Sequence, residues 1–146
     1  MNTSSITEKL LSLLVNLYSL ALKTQNYHWN ITGPNFYEVH TLLGKQYNQF
    51  VKTIDSLAEH IRTYGIKIPA NFKAFSKLNK LPEPDENLDY KSMMRHLLED
   101  NKALFQMLVD CIKIAEVNSN YTTVDLLSDM LLIHEKNIWV LDCTLG

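Results

Sequence analysis

The chain has 146 residues, a net charge of −2 at pH 7, 46% apolar and 21% charged residues. This is the composition of one globular domain, 1–146, able to bury about 68% of its unfolded surface. It excludes a disordered chain and any general electrostatic pull toward nucleic acid or anionic membrane. With only 4 glycines and 4 prolines, turn material for an all-β fold is scarce and helices are expected.

The first predicted helix spans about 5–30. Leu10, Leu14, Leu17, Ala21, Thr24 and His28 alternate at spacings of four and three, which makes one stripe along a helix. Ser5 and Glu8 form a capping-box pattern at its start. Ser12, Asn16 and Ser19 interrupt the apolar run from Leu10 to Leu22, so neither a signal peptide nor a membrane span is expected. The expected location is cytoplasmic.

Gly33-Pro34 reverses the chain, and Pro34 suits the first turn of a second helix over about 34–64. Its stripe is Phe36, His40, Leu43, Tyr47, Phe50, Ile54, Leu57, Ile61 and Tyr64, with Gly65 as the stop. Residues 66–86 hold three prolines and no long period. They read as a long crossover with a short helix at about 72–79.

A third helix over about 87–116 carries Met94, Leu97, Leu104, Leu108 and Cys111 on one face. A fourth, about 122–145, is capped by Thr122 and Asp125 and presents Leu127, Leu131, His134, Ile138 and Leu141. Four such helices with one long crossover predict an all-α four-helix bundle, the second and third helices lying as parallel neighbours. One-crossover bundles include the ferritin-like folds. Cys111 and Cys143 lie 32 apart with no CxxC pattern and are expected as two buried thiols.

None of the eight glutamates has a histidine three residues on, so a di-iron site built from Glu-x-x-His inside one bundle is not available. His28 and His40 instead face each other across the Gly33-Pro34 reversal. Either histidine alone reads as a packed or capping residue, whereas two at one corner suggest metal ligation. Asp55 and Glu59, four apart on the second helix, point the same way and lie out of phase with its stripe. They read as a solvated face paired with Lys52 and Arg62, or as ligands. His40 and Asp55 are 15 residues apart, about 22 Å of helical rise. Metal–ligand bonds are about 2 Å, so a mixed site would take its histidines from one subunit and its carboxylates from a two-fold-related copy.

Three segments, "HWNITGPNFYEVH", "DSLAEHIRTYG" and "TVDLLSDMLLIHEKNIWVL", resemble the Dps family (DNA-binding proteins from starved cells), the twelve-subunit mini-ferritins, over residues 5–145. The resemblance implies a ferroxidase centre between two-fold-related subunits: His28 and His40 from one, Asp55 and Glu59 from the other. It implies Fe²⁺ and hydrogen peroxide as substrates and a ferric mineral stored in a dodecameric shell, with Zn²⁺ or Mn²⁺ competing for the ligands. By the same resemblance Trp29 borders the iron and intercepts radicals, and Asp125 and Asp129 line three-fold iron-entry pores. Many family members carry an acid four residues after the second histidine. Here that residue is Gly44, which supplies no ligand and costs about 1 kcal/mol in helix propensity.

The alternative function is a DNA-condensing shell with weak ferroxidase activity, associated with the nucleoid. Lys67, Lys73, Lys77 and Lys80 form one basic stretch for it, but MNTSSITE carries no cation and salt would weaken such binding sharply. DNA binding is therefore not favoured.

Overall fold

The computed structural model of the chain describes the backbone from Thr3 and the side chains from Ser5 to Gly146. Among these residues there are five helices and no strand: α1 (Thr3–Asn30), α2 (Phe36–Thr63), α3 (Phe72–Leu78), α4 (Tyr90–Val117) and α5 (Tyr121–Leu145). The four long ones form the bundle. Side-chain pairs fix their directions. Lys23 meets Asp100 and Tyr27 meets His96, so α1 and α4 are antiparallel. Phe50 meets His134, while His60 and Tyr64 meet Thr123, so α2 and α5 are antiparallel too.

The helix hairpins α1–α2 and α4–α5 pack through long seams, and α1 also packs along α4. The predicted adjacency of the second and third helices is not what forms. α2 and α4 run parallel but stand diagonally across the bundle, with no close backbone approach. The crossover lies along the outside of α1 instead. Tyr18 and Phe75 pack edge to face with centroids 5.3 Å apart, and Asn16 Oδ1 accepts the Lys80 N–H at 2.8 Å.

The core is formed by aliphatic side chains such as Leu10, Leu17, Leu43, Leu57, Leu97, Leu108, Leu127 and Leu141, all fully buried. Residues from Ser5 to Asn30 have the length and apolar content of a membrane-spanning helix. More than half of its most apolar 18-residue window is buried, and α1 packs on both α2 and α4, which accounts for its composition without a membrane.

The helix starts differ from the sequence expectation. α1 begins before Ser5, so Ser5 is inside the helix rather than capping it. Pro34 sits in the turn, and α2 starts at Phe36 behind Asn35. Thr122 is likewise inside α5, which starts at Tyr121. Asn71 and Asp89 are the side-chain caps, accepting from the N–H groups of Ala74 at 2.9 Å and Ser92 at 2.8 Å. Cys111 is buried, and that burial pushes its thiol up to about 11. Cys143, expected to be buried, is exposed.

Candidate metal centre

The site starts at the five-residue reversal between α1 and α2. Ile31 is buried and anchors it. Gly33 at φ 121° and Asn35 at φ 57° then turn the chain through left-handed conformations that a glycine and an asparagine tolerate. This tight return brings the last turn of α1 against the first turns of α2.

His28 and His40 are the result. Their rings stack with centroids 3.8 Å apart and planes 13° from parallel. Their backbones are also tied reciprocally: His28 Nδ1 lies 2.6 Å from the His40 carbonyl oxygen, and His40 Nδ1 lies 2.7 Å from that of His28. A carbonyl can only accept, so both Nδ1 atoms carry the hydrogen and donate it. In its neutral form each ring therefore has its lone pair on Nε2, the arrangement in which a backbone carbonyl orients a metal-binding imidazole. Phe36 stacks on the other face of His40 at 5.2 Å, and Tyr47 meets His28 edge-on at 5.3 Å. Two further rings thus hold the pair in place. Phe36 and Tyr47 belong to the predicted stripe, but their part in the site was not read from it.

Asp55 and Glu59 lie together on the exposed face of α2. Among the described residues neither enters an ion pair. Arg62, one of their expected partners, donates to the Ile66 carbonyl at 2.8 Å instead. α2 is one uninterrupted helix from Phe36 to Thr63, so the roughly 22 Å of rise between His40 and Asp55 stands. Among the described residues no three His, Cys, Asp or Glu side chains of one chain come together as a metal cluster.

Between the two halves runs an apolar strip on the outside of α1 and α2. One part is an open cavity of about 420 Å³ lined by Leu14, Tyr18, Ile54, Ala58, Ile68 and Phe75, among others. A neighbouring groove reaches along Tyr18, Leu22 and Val51 to Tyr47. The strip therefore starts at the ring that touches His28. It ends at Ile54 and Ala58, the residues next to Asp55 and Glu59.

Trp29 is 63% exposed. Asp125 and Asp129 are exposed one turn apart on α5. The four crossover lysines are all exposed. His60, next to Glu59, turns inward: its Nε2 lies 2.8 Å from Thr123 Oγ1, and burial lowers its pKa. That geometry turns its imidazole away from the exposed face that carries Asp55 and Glu59.

The interior holds polar groups, and the sequence reading missed Lys23, Asp100 and Gln46 among them. Lys23 and Asp100 form a buried ion pair at 2.6 Å between α1 and α4. Burial raises the Asp100 carboxyl and Lys23 opposes the rise. The signal was there: Leu13, Asn16, Leu20, Lys23 and Tyr27 make a second 3,4-spaced stripe on α1. His134 is buried and donates from Nδ1 to Asn101 Oδ1 at 2.9 Å, while burial lowers its pKa to about 4. Gln46, 3% exposed, has no partner for either amide atom among the described residues.

Helix-only architecture, two antiparallel hairpins, one long crossover and an imidazole pair at a hairpin corner define a ferritin-like bundle. The chain belongs to that family: residues 7–146 match the ferritin-like domain. Within it the relatives include Dps proteins. The chain is 30% identical over 128 residues to the DNA protection during starvation protein of Helicobacter pylori, covering 87% of this chain and 89% of that one. A Dps protein from Vibrio cholerae O1, described as a member of a broad superfamily of ferritin-like diiron-carboxylate proteins, superposes with a TM-score of 0.93 at 29% identity, covering 98% of this chain and 90% of the other. Dps from Bacillus brevis gives 0.94 at 26% identity over the whole of both chains.

Proposed function

We propose that this protein oxidises Fe²⁺ with hydrogen peroxide at sites shared between two-fold-related copies and stores the ferric product inside a closed shell, in the cytoplasm. The observation that carries the reading is the stacked His28–His40 pair, with both Nδ1 atoms committed to backbone carbonyls and both Nε2 lone pairs left as donors. Rings 13° from parallel do not direct their in-plane lone pairs at one ion about 2 Å away. The stacking favours two neighbouring ions, one per imidazole, near the 3.5–4 Å spacing of two-metal sites.

Asp55 and Glu59 of the second copy complete the ligand set. Unpaired and exposed, they are free to do so. The apolar strip supports the pairing, because laying two copies of it together about a two-fold axis buries the strip and carries each carboxylate pair toward the other copy's histidines. The carboxylates favour Fe³⁺ over Fe²⁺ electrostatically. Two Fe²⁺ ions give one electron each to one hydrogen peroxide, which takes up two protons and leaves as two waters. Paired donation avoids hydroxyl radical. Trp29 stands beside His28 in sequence as an exposed electron donor for any radical that escapes. Asp125 and Asp129, brought together by several copies, would gather Fe²⁺ at the shell surface. Zn²⁺ and Mn²⁺ compete for the same nitrogen and oxygen donors.

The test is anaerobic Fe²⁺ oxidation followed optically after adding hydrogen peroxide, comparing the wild type with a His28→Ala/His40→Ala variant of intact assembly. Fast oxidation in the wild type that is lost in the variant supports the reading. Equal, slow oxidation in both removes it.

A further inference from the structure

Gly44 stands one turn after His40 on α2, at the position where the sequence appeared simply to lack an acidic ligand. Its surroundings give it a different role. A Cβ at residue 44 would lie 3.0 Å from His28 Cε1, 3.3 Å from Nδ1 and 3.8 Å from Nε2. The imidazole therefore rests directly on the backbone of α2. Carbon atoms pack best at about 3.5–4.0 Å, so a methyl group there requires the ring to move by several tenths of an ångström.

The ring has little room to do so. Its Nδ1 is held by the His40 carbonyl at 2.6 Å, one face by the His40 ring at 3.8 Å, and its edge by Tyr47 at 5.3 Å. Moving away from residue 44 lengthens the hydrogen bond, slides the stack, or both. The hydrogen bond fixes which nitrogen keeps its lone pair, so its loss frees the tautomer as well as the position.

We propose that Gly44 is a positioning residue: its bare Cα is the seat of the His28 imidazole, and in this chain's corner, where the ring rests on the α2 backbone, an added Cβ displaces that metal donor. An acid introduced at 44 would then weaken the site rather than restore a ligand. This proposal rests on the metal-centre reading above, and its test separates the two.

Intact assemblies of wild type, Gly44→Ala, Gly44→Asp and His28→Ala would be titrated with Co²⁺, whose visible spectrum reports bound ligands. Their thermal midpoints would be measured without metal, and metal-free Gly44→Ala would be crystallised. The expected result is Co²⁺ binding at least tenfold weaker in both Gly44 variants. In the crystal the His28 ring would be displaced away from residue 44 by a few tenths of an ångström relative to a wild-type crystal structure. The thermal midpoint of Gly44→Ala would not rise, although alanine is the better helix former. Co²⁺ affinity unchanged in Gly44→Ala together with a raised midpoint would overturn the seat. So would tighter Co²⁺ binding by Gly44→Asp than by wild type, since the acid would then be acting as a ligand. If wild type and His28→Ala bind Co²⁺ alike, the metal-centre reading fails, and the crystal structure and midpoint still decide whether Gly44 seats the ring.

Discussion

If one chain supplies only half of the metal centre, two different defective chains should repair each other. His40 and Asp55 are separated by 15 residues of unbroken helix, about 22 Å, while coordination bonds are about 2 Å. A His28→Ala/His40→Ala subunit keeps its carboxylates, and an Asp55→Ala/Glu59→Ala subunit keeps its imidazoles. Each assembled alone has no complete site. Dissociated, mixed in equal amounts and reassembled at random, half of the two-fold pairs contain one of each. Every mixed pair then has one intact site and one lacking all four ligands, so about a quarter of the wild-type sites should return. At a mixing ratio of one to three the recovery should be about a fifth, following the product of the two fractions. Initial rates of peroxide-driven Fe²⁺ oxidation measure recovery, and native mass spectrometry confirms that mixed assemblies formed. Rates that remain at the parental background in proven mixtures would refute the shared site. Full recovery would be equally damaging, because two-fold statistics allow no more than a quarter.

Three further outcomes concern the bundle interior. Lys23→Met or Asp100→Asn alone strands a buried group and should cost about 3–5 kcal/mol in urea unfolding, whereas Lys23→Met with Asp100→Leu should recover most of that loss. His134 titrates near 4 when folded and near 6.5 unfolded, so only the unfolded chain takes up its proton between those values. Its contribution is therefore intact above pH 6.5 and declines toward pH 4, by about 3 kcal/mol at most; His134→Leu should flatten that part of a stability-against-pH curve. Gln46→Leu removes an amide that has no partner and should be neutral or stabilising by about 1 kcal/mol, read as the shift of the urea midpoint.

The helices were legible because a buried face must be apolar at helical spacing, and α1, α4 and α5 obey that along most of their length. α2 shows where such reading stops. Its stripe named Leu43, Phe50, Leu57 and Ile61, which are buried in the bundle, but also His40, Tyr47 and Ile54, which are not, and it left out the buried Val39 and Gln46. The difference is one of partners. His40, Tyr47 and Ile54 face the outer strip and the imidazole corner, and periodicity reports an apolar surface without saying what covers it. The same ambiguity hid Gln46, which looks like a surface residue in sequence and lies in the core. It also let the crossover suggest neighbouring second and third helices, when the diagonal arrangement satisfies the same connection.

The centre itself was legible only as residue types. Two histidines and an i, i+4 carboxylate pair can be read from spacing, and rise per residue alone separates them. Ring stacking, reciprocal Nδ1 donation and the seat at Gly44 depend on the left-handed turns at Gly33 and Asn35. No pattern in the sequence encodes that degree of closeness. Gly44 makes the consequence concrete. In sequence a glycine where an acid is expected reads as a missing ligand. In the folded corner the absent side chain leaves the space that holds a present ligand, so the same residue changes from a defect to a condition of the site.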